Sequence, residues 1–206
     1  MRPFVALALL VLAGCGGAEP PTAGDGRLDP VRLVEALQEG GYVVYLRHAA
    51  TDRSKEDAGV VDLDDCSSQR NLNEAGRQQA REIGRGFRAF EIPVGAVRSS
   101  EYCRTRETAE LAFERVELEP DLTGFPNDGA TGHAERVRRT KELLAQRPGE
   151  GENTVLVTHI KNIEASAGIS IEEGELAVFE PLGGVSFRYR GRIPAEAWPQ
   201  LVEKLG

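Results

Sequence analysis

The 206-residue chain contains three histidines, and two of them directly follow short runs of β-prone residues. His48, with Arg47 in front of it, follows Tyr42-Val43-Val44-Tyr45-Leu46, and His159 follows Thr154-Val155-Leu156-Val157-Thr158. A further run, Pro93 to Val97, leads to Ser99, Ser100 and, one turn later, Arg104. If these runs are neighbouring parallel strands, their carboxyl ends share one edge, which is where ligands bind in open α/β sheets. Two imidazoles and two guanidinium groups at that edge form a dense cationic site. Burying such a site is costly, because like charges repel and lose hydration. An anion offsets the cost. Phosphate suits it well, because guanidinium groups grip its oxygens in pairs.

The elements that must position these residues alternate between helix and strand. Asp29-Pro30 starts a helix that Gly40-Gly41 ends. Tyr42 to Leu46 forms a buried strand, and the polar stretch 51–71 a long loop. Asn73 caps a helix through Phe90, whose Ala80, Ile83, Phe87 and Phe90 share one face. Pro93–Val97 is a strand, Tyr102–Phe113 a helix, 119–132 a loop and Ala134–Gln146 a helix. Thr154–Val157 is a third strand, and a short helix runs from Lys161 to Ala167. Leu176–Phe179 and Val185–Tyr189 form a hairpin around Gly183-Gly184, and Glu196–Leu205 a last helix in which Trp198 packs on the core. This order predicts a three-layer α/β/α sandwich with a mostly parallel central sheet.

Tyr45-Leu46-Arg47-His48-Ala49 resembles the Arg-His-Gly signature of the histidine phosphatase (phosphoglycerate mutase-like) superfamily. Val97-Arg98-Ser99-Ser100-Glu101-Tyr102-Cys103-Arg104-Thr105-Arg106-Glu107-Thr108-Ala109 resembles its second motif, and Thr154 to His159 its third. Asn71-Leu72-Asn73-Glu74-Ala75-Gly76-Arg77-Gln78-Gln79-Ala80 matches the helix start between the first two. The resemblance spans Tyr42 to Phe187. It implies that His48 is a nucleophile that becomes phosphohistidine, and that Arg47, Arg104 and His159 hold the phosphoryl oxygens. It also implies a carboxylic acid for the leaving alcohol, in the loop after the second motif's helix and the following strand. That loop offers Glu119, Asp121 and Asp128. Asp128 is preferred for its turn-like surroundings, and Asp52, close behind His48, is a further candidate. The chain departs from the pattern at Ala49 and Ile160, where the family carries glycine. Ile160 is the larger change and is expected to narrow the pocket.

No cofactor is implied, since the arginines supply the positive charge, and the sequence shows no metal-binding motif. Arg70 is placed at the pocket rim. Arg98 and Arg106 are read as surface or ion-paired arginines, His133 as a loop or helix-start residue, and Glu172, Glu173 and Glu175 as a solvated acidic turn.

The N-terminus reads as an export signal. Arg2 precedes the apolar run Phe4–Leu12, and Leu12-Ala13-Gly14-Cys15 resembles the bacterial lipobox. The resemblance implies removal of residues 1–14, lipidation of Cys15 and a membrane anchor without a spanning helix. Residues 15–27 then form a flexible tether and 28–206 the folded domain. Gly16, rather than Asp, after the cysteine favours the outer membrane, facing the periplasm. Export leaves Cys66 and Cys103 as an even pair in an oxidising compartment, where a disulfide is expected. A formal charge of −8 excludes a general nucleic-acid binder. The expected partner is a small phosphorylated substrate. The leading activity is metal-independent hydrolysis of phosphate monoesters, of the histidine acid phosphatase type. A phosphomutase of the same superfamily and a catalytically silent anion-binding lipoprotein are the alternatives. Oligomeric state and natural substrate are not written in the sequence.

Overall fold

The computed structural model describes residues 26–57, 61–123 and 129–205. The signal segment, Cys15 and Asp128 therefore lie outside the described residues. Six strands form one sheet: β1 (Val43–Arg47), β2 (Val94–Ser99), β3 (Glu117–Leu118), β4 (Asn153–Thr158), β5 (Leu176–Gly183) and β6 (Ser186–Ile193). Their spatial order is β3-β2-β4-β1-β5-β6. The four strands from β3 to β1 run parallel, β5 runs antiparallel to β1, and β6 antiparallel to β5, so the sheet is mixed.

Helices α1 (Pro30–Glu39), α2 (Glu74–Ala89), α3 (Cys103–Phe113), α4 (Gly129–Ala145), α5 (Ile160–Ala167) and α6 (Ala197–Leu205) cover it. Alternation along β1 shows how the layers form. Val44 and Leu46 point into a core with Leu33 of α1, Phe87 of α2 and Trp198 of α6. Val43 and Tyr45 point the other way, towards Leu144 of α4 and Ile163 of α5. Both faces are apolar because both are covered, and β1 therefore reads as an unbroken hydrophobic run. The result is the expected α/β/α sandwich.

The caps act as the sequence predicts. The Asp29 carboxylate accepts from the backbone N–H groups of Val31 and Arg32, and the Asn73 side chain accepts from that of Gly76 at 2.8 Å. Gly76 also lies against the chain just after His48, where an added Cβ would stand 2.0 Å from the Ala50 carbonyl oxygen. The start of α2 is thus pressed onto the histidine loop.

Boundaries differ where pairing, not apolarity, sets them. The final hairpin extends from Leu176 to Ile193, because the polar residues Arg188, Arg190 and Arg192 are carried along an edge strand. The two-residue β3 is exposed and has no hydrophobic signal. Helix α4 begins at Gly129, five residues before the expected Ala134.

Cys66 and Cys103 form a disulfide, joining a short 3-10 turn (Cys66–Ser68) to the first residue of α3. Buried Gln69 completes the junction, its side-chain oxygen accepting from the Cys103 N–H at 2.9 Å. Replacing both cysteines by serine is expected to destabilise the fold by roughly 2–4 kcal/mol. A lower urea midpoint would register it, with a steeper slope because the unfolded chain without the cross-link exposes more surface.

Candidate active site

Strand β4 lies between β1 and β2, and the hydrogen-bond ladder continues one residue beyond each strand. The His48 N–H donates to the Thr158 carbonyl at 3.0 Å, and the Ser100 N–H to that of Val157 at 3.1 Å. His48, Ser100 and His159 are therefore brought to one edge by backbone pairing alone. The two imidazole centroids are 5.6 Å apart. They line a cavity of about 260 Å3 together with Arg47, Arg104, Arg70, Tyr102 and Asp57. Ile160 and Lys161, at the start of α5, complete it. A wider groove of about 380 Å3 lies beside Phe87 and Phe113, but no histidine lines it.

His48 is held in a single tautomer. Its Nδ1 lies 2.9 Å from the Ala49 carbonyl oxygen. A carbonyl only accepts, so Nδ1 carries the proton and Nε2 keeps its lone pair. Burial pushes the His48 pKa down to about 3 against a partly opposing Ala49 hydrogen bond, and Arg104 and Arg47 add to the fall. Burial, then Arg104, takes His159 well below the ordinary imidazole value. Both rings are neutral near pH 7. Ser100 Oγ sits 2.8 Å from His159 Nε2, which leaves Nδ1 for a ligand. Tyr102 packs edge-on against the His159 ring and flat against the Arg104 guanidinium, 4.2 Å from centroid to Cζ.

The arginines are anchored at their tips. Arg47 Nη1 donates to the Ile171 carbonyl at 2.8 Å, and its Nη2 faces Glu173 at 3.8 Å. Arg104 Nη1 donates to Asp57 at 2.9 Å and to the Arg70 carbonyl at 3.3 Å. The Nε atoms of Arg47, Arg70 and Arg104 are all buried, with no hydrogen-bond acceptor among the described residues. Three guanidinium groups around one small cavity match an anion with several oxygens.

The structure thus brings together Arg47, His48, Arg70, Arg104 and His159. It sends the other carboxylate candidates elsewhere. Glu119 caps the turn at Asp121 and lies near Arg98, Asp121 lies near Arg139, and Asp52 accepts from Ser54. None of these three lines the cavity.

The acidic turn is a correction. Glu172 is exposed, but Glu173 and Glu175 are largely buried. Burial would raise the Glu173 carboxyl, yet the Thr51 hydroxyl and the charges of Arg53 and Arg47 hold it below the ordinary value. Thr51 Oγ1 donates to Glu173 at 3.0 Å. Gly174, at φ +77°, turns its N–H onto the carbonyls of Arg47 and His48. Three glutamates within four residues look solvated by composition. The arginines that bury one of them are remote in sequence. Asp57 and Lys161 were also missed, because neither belongs to a motif.

Residues 43–132 match the model of the histidine phosphatase superfamily, branch 1. The matched segment carries Arg47, His48, Arg70 and Arg104, so this part of the chain is similar to that superfamily. No curated protein matches it in sequence. Among solved structures, the fold is shared with an alpha-ribazole phosphatase from Shigella flexneri, at TM-score 0.54 and 15% identity over 72% of this chain and 94% of that one. An Entamoeba histolytica phosphoserine phosphatase variant gives TM-score 0.54 at 14% identity, over 75% and 98%. A mycobacterial glucosyl-3-phosphoglycerate phosphatase gives 0.52 at 17%, over 72% and 96%.

The depressed imidazoles have a pH consequence. Between about pH 6.5 and 3 the unfolded chain protonates His48 while the folded protein does not. The unfolded state then binds more protons, so stability falls as pH drops through that window. Thermal midpoints measured from pH 7.5 to 5 are expected to fall less steeply for His48→Gln than for the parent protein.

Proposed function

We propose that the protein hydrolyses phosphate monoesters through a phosphohistidine at His48, without a metal ion and outside the cytoplasm. The observation that carries this reading is the set of three buried, unpartnered arginine Nε atoms around a histidine whose Nε2 is held unprotonated. Binding alone needs the arginines but gives no reason to fix a nucleophile's tautomer.

The chemistry follows from the positions. Arg47, Arg104 and the free nitrogen of His159 hold the phosphoryl oxygens, with Arg70 at the rim. The Nε2 lone pair of His48 attacks phosphorus as the bond to the alcohol oxygen breaks, and that oxygen takes a proton from a carboxylic acid. Water then attacks phosphorus and loses a proton. The P–N bond breaks, its electron pair returns to Nε2, and inorganic phosphate leaves. Fixed donors stabilise the charge in both steps without reorganising.

His48→Ala is expected to abolish turnover of p-nitrophenyl phosphate, and a chelator to leave the parent enzyme unaffected. Acid quenching of the parent enzyme should trap acid-labile phosphate on His48. Arg104→Ala should lose the thermal shift given by inorganic phosphate, which for a parent saturated at 100 times its Kd corresponds to about 2.7 kcal/mol. Phosphate binding without turnover in the parent would favour a silent binding protein.

We further propose that the domain is exported and tethered through lipid on Cys15, probing envelope-side substrates from the outer membrane. The Cys66–Cys103 disulfide supports an oxidising location. Full-length protein expressed in a bacterium and labelled with radioactive palmitate is expected to incorporate label and sediment with membranes. Cys15→Ser should do neither.

A further inference from the structure

We propose that Asp57 is the proton donor to the leaving alcohol and the base for the attacking water, which rests on the phosphomonoesterase reading above. Among the described residues, Asp57 is the one carboxylate that lines the cavity containing both histidines. Two donors aim it. Arg104 Nη1 and the Arg70 N–H both reach Asp57 Oδ1, each at 2.9 Å. Its side chain remains 28% exposed, so it stands at the mouth of the cavity and not in its floor.

That placement separates two tasks on one guanidinium. Arg104 spends Nη1 on the carboxylate and keeps Nε for a phosphoryl oxygen. Asp57 thus shares one cavity with His48 and one guanidinium with the phosphoryl site, within reach of the ester oxygen on that proposal. The other carboxylate near the site, Glu173, is engaged by Thr51, Arg47 and Arg53 instead.

The proton balance closes without another reagent. A phosphate monoester has its second pKa at about 6, so its monoanion brings one acidic proton. Asp57 accepts that proton and passes it to the alcohol oxygen as the P–O bond breaks. The resulting carboxylate takes a proton from water as the water oxygen attacks phosphorus and the P–N bond breaks. Asp57 ends the cycle carrying a proton, which it releases to solvent when phosphate leaves.

The test compares leaving groups. Glycerol phosphate expels a basic alkoxide and needs a proton, whereas p-nitrophenyl phosphate expels a stable phenolate and scarcely does. Asp57→Asn keeps an oxygen able to accept from Arg104 and Arg70. The ratio of kcat/KM for glycerol phosphate over p-nitrophenyl phosphate is expected to fall about 100-fold or more in this variant. The inhibition constant of inorganic phosphate is expected to stay within about threefold of the parent's. Equal losses on both esters, or no loss on either, would overturn the assignment. A weakening of phosphate inhibition in proportion to the loss would overturn it too, reducing Asp57 to a support for Arg104. These outcomes are separable from failure of the underlying reading, in which the parent hydrolyses neither ester or His48→Ala remains active.

Discussion

The meeting of the two histidines depends on the position of β4 between β1 and β2. Parallel pairing on both sides forces three strand ends to finish at the same level. The ladder then continues one residue further, through the N–H groups of His48 and Ser100. Main-chain hydrogen bonds thus set the separation of the two imidazoles before any side chain is considered. Tyr45 secures the same register from the opposite face, its hydroxyl donating to the His159 carbonyl at 2.6 Å. A sheet is a stiff support, and residues one position beyond its strands inherit that stiffness.

The cost of the arrangement is electrostatic. Burying arginines side by side removes water from each and sets like charges together. The protein offsets this with acceptors at the outer tips: a carbonyl and Glu173 for Arg47, a carbonyl and Asp57 for Arg104. Both guanidinium groups are fixed from behind, so their inward donors are oriented before a substrate arrives. Little reorganisation then remains for the transition state, which is how fixed dipoles outperform water. Neutral histidines follow first from burial and then from the same charges, and a neutral His48 is the form able to attack.

Legibility in the sequence followed the same division. His48, Arg104 and His159 could be placed because apolar runs reveal strands and the residue after a strand is a fixed position. The alternation of elements gave the layered architecture, since an amphipathic helix face and a continuous buried strand each leave a periodic trace. Asp57 and Glu173 left no such trace. Each becomes part of the site through an arginine far away in the chain, and no spacing rule connects a polar loop to a partner 47 residues on. The edge strand β3 and the outer half of the final hairpin escaped notice for a related reason. Backbone pairing holds them, and pairing at a solvent-facing edge makes no demand on side-chain type.

The loop that carries Asp57 is tied down by means other than the sheet. The disulfide fixes Cys66 to the start of α3, Gln69 bonds the Cys103 N–H, and the Arg70 carbonyl takes a hydrogen from Arg104. All three attachments converge on residues 103 and 104, beside the guanidinium that Asp57 contacts. A long polar loop has little core to bury and would otherwise sample many positions. Covalent closure removes part of that freedom at residues 66–70, beside the guanidinium that Asp57 contacts. On the proposed reading, rigid strand ends hold the phosphoryl group, while the stapled loop faces the rest of the substrate.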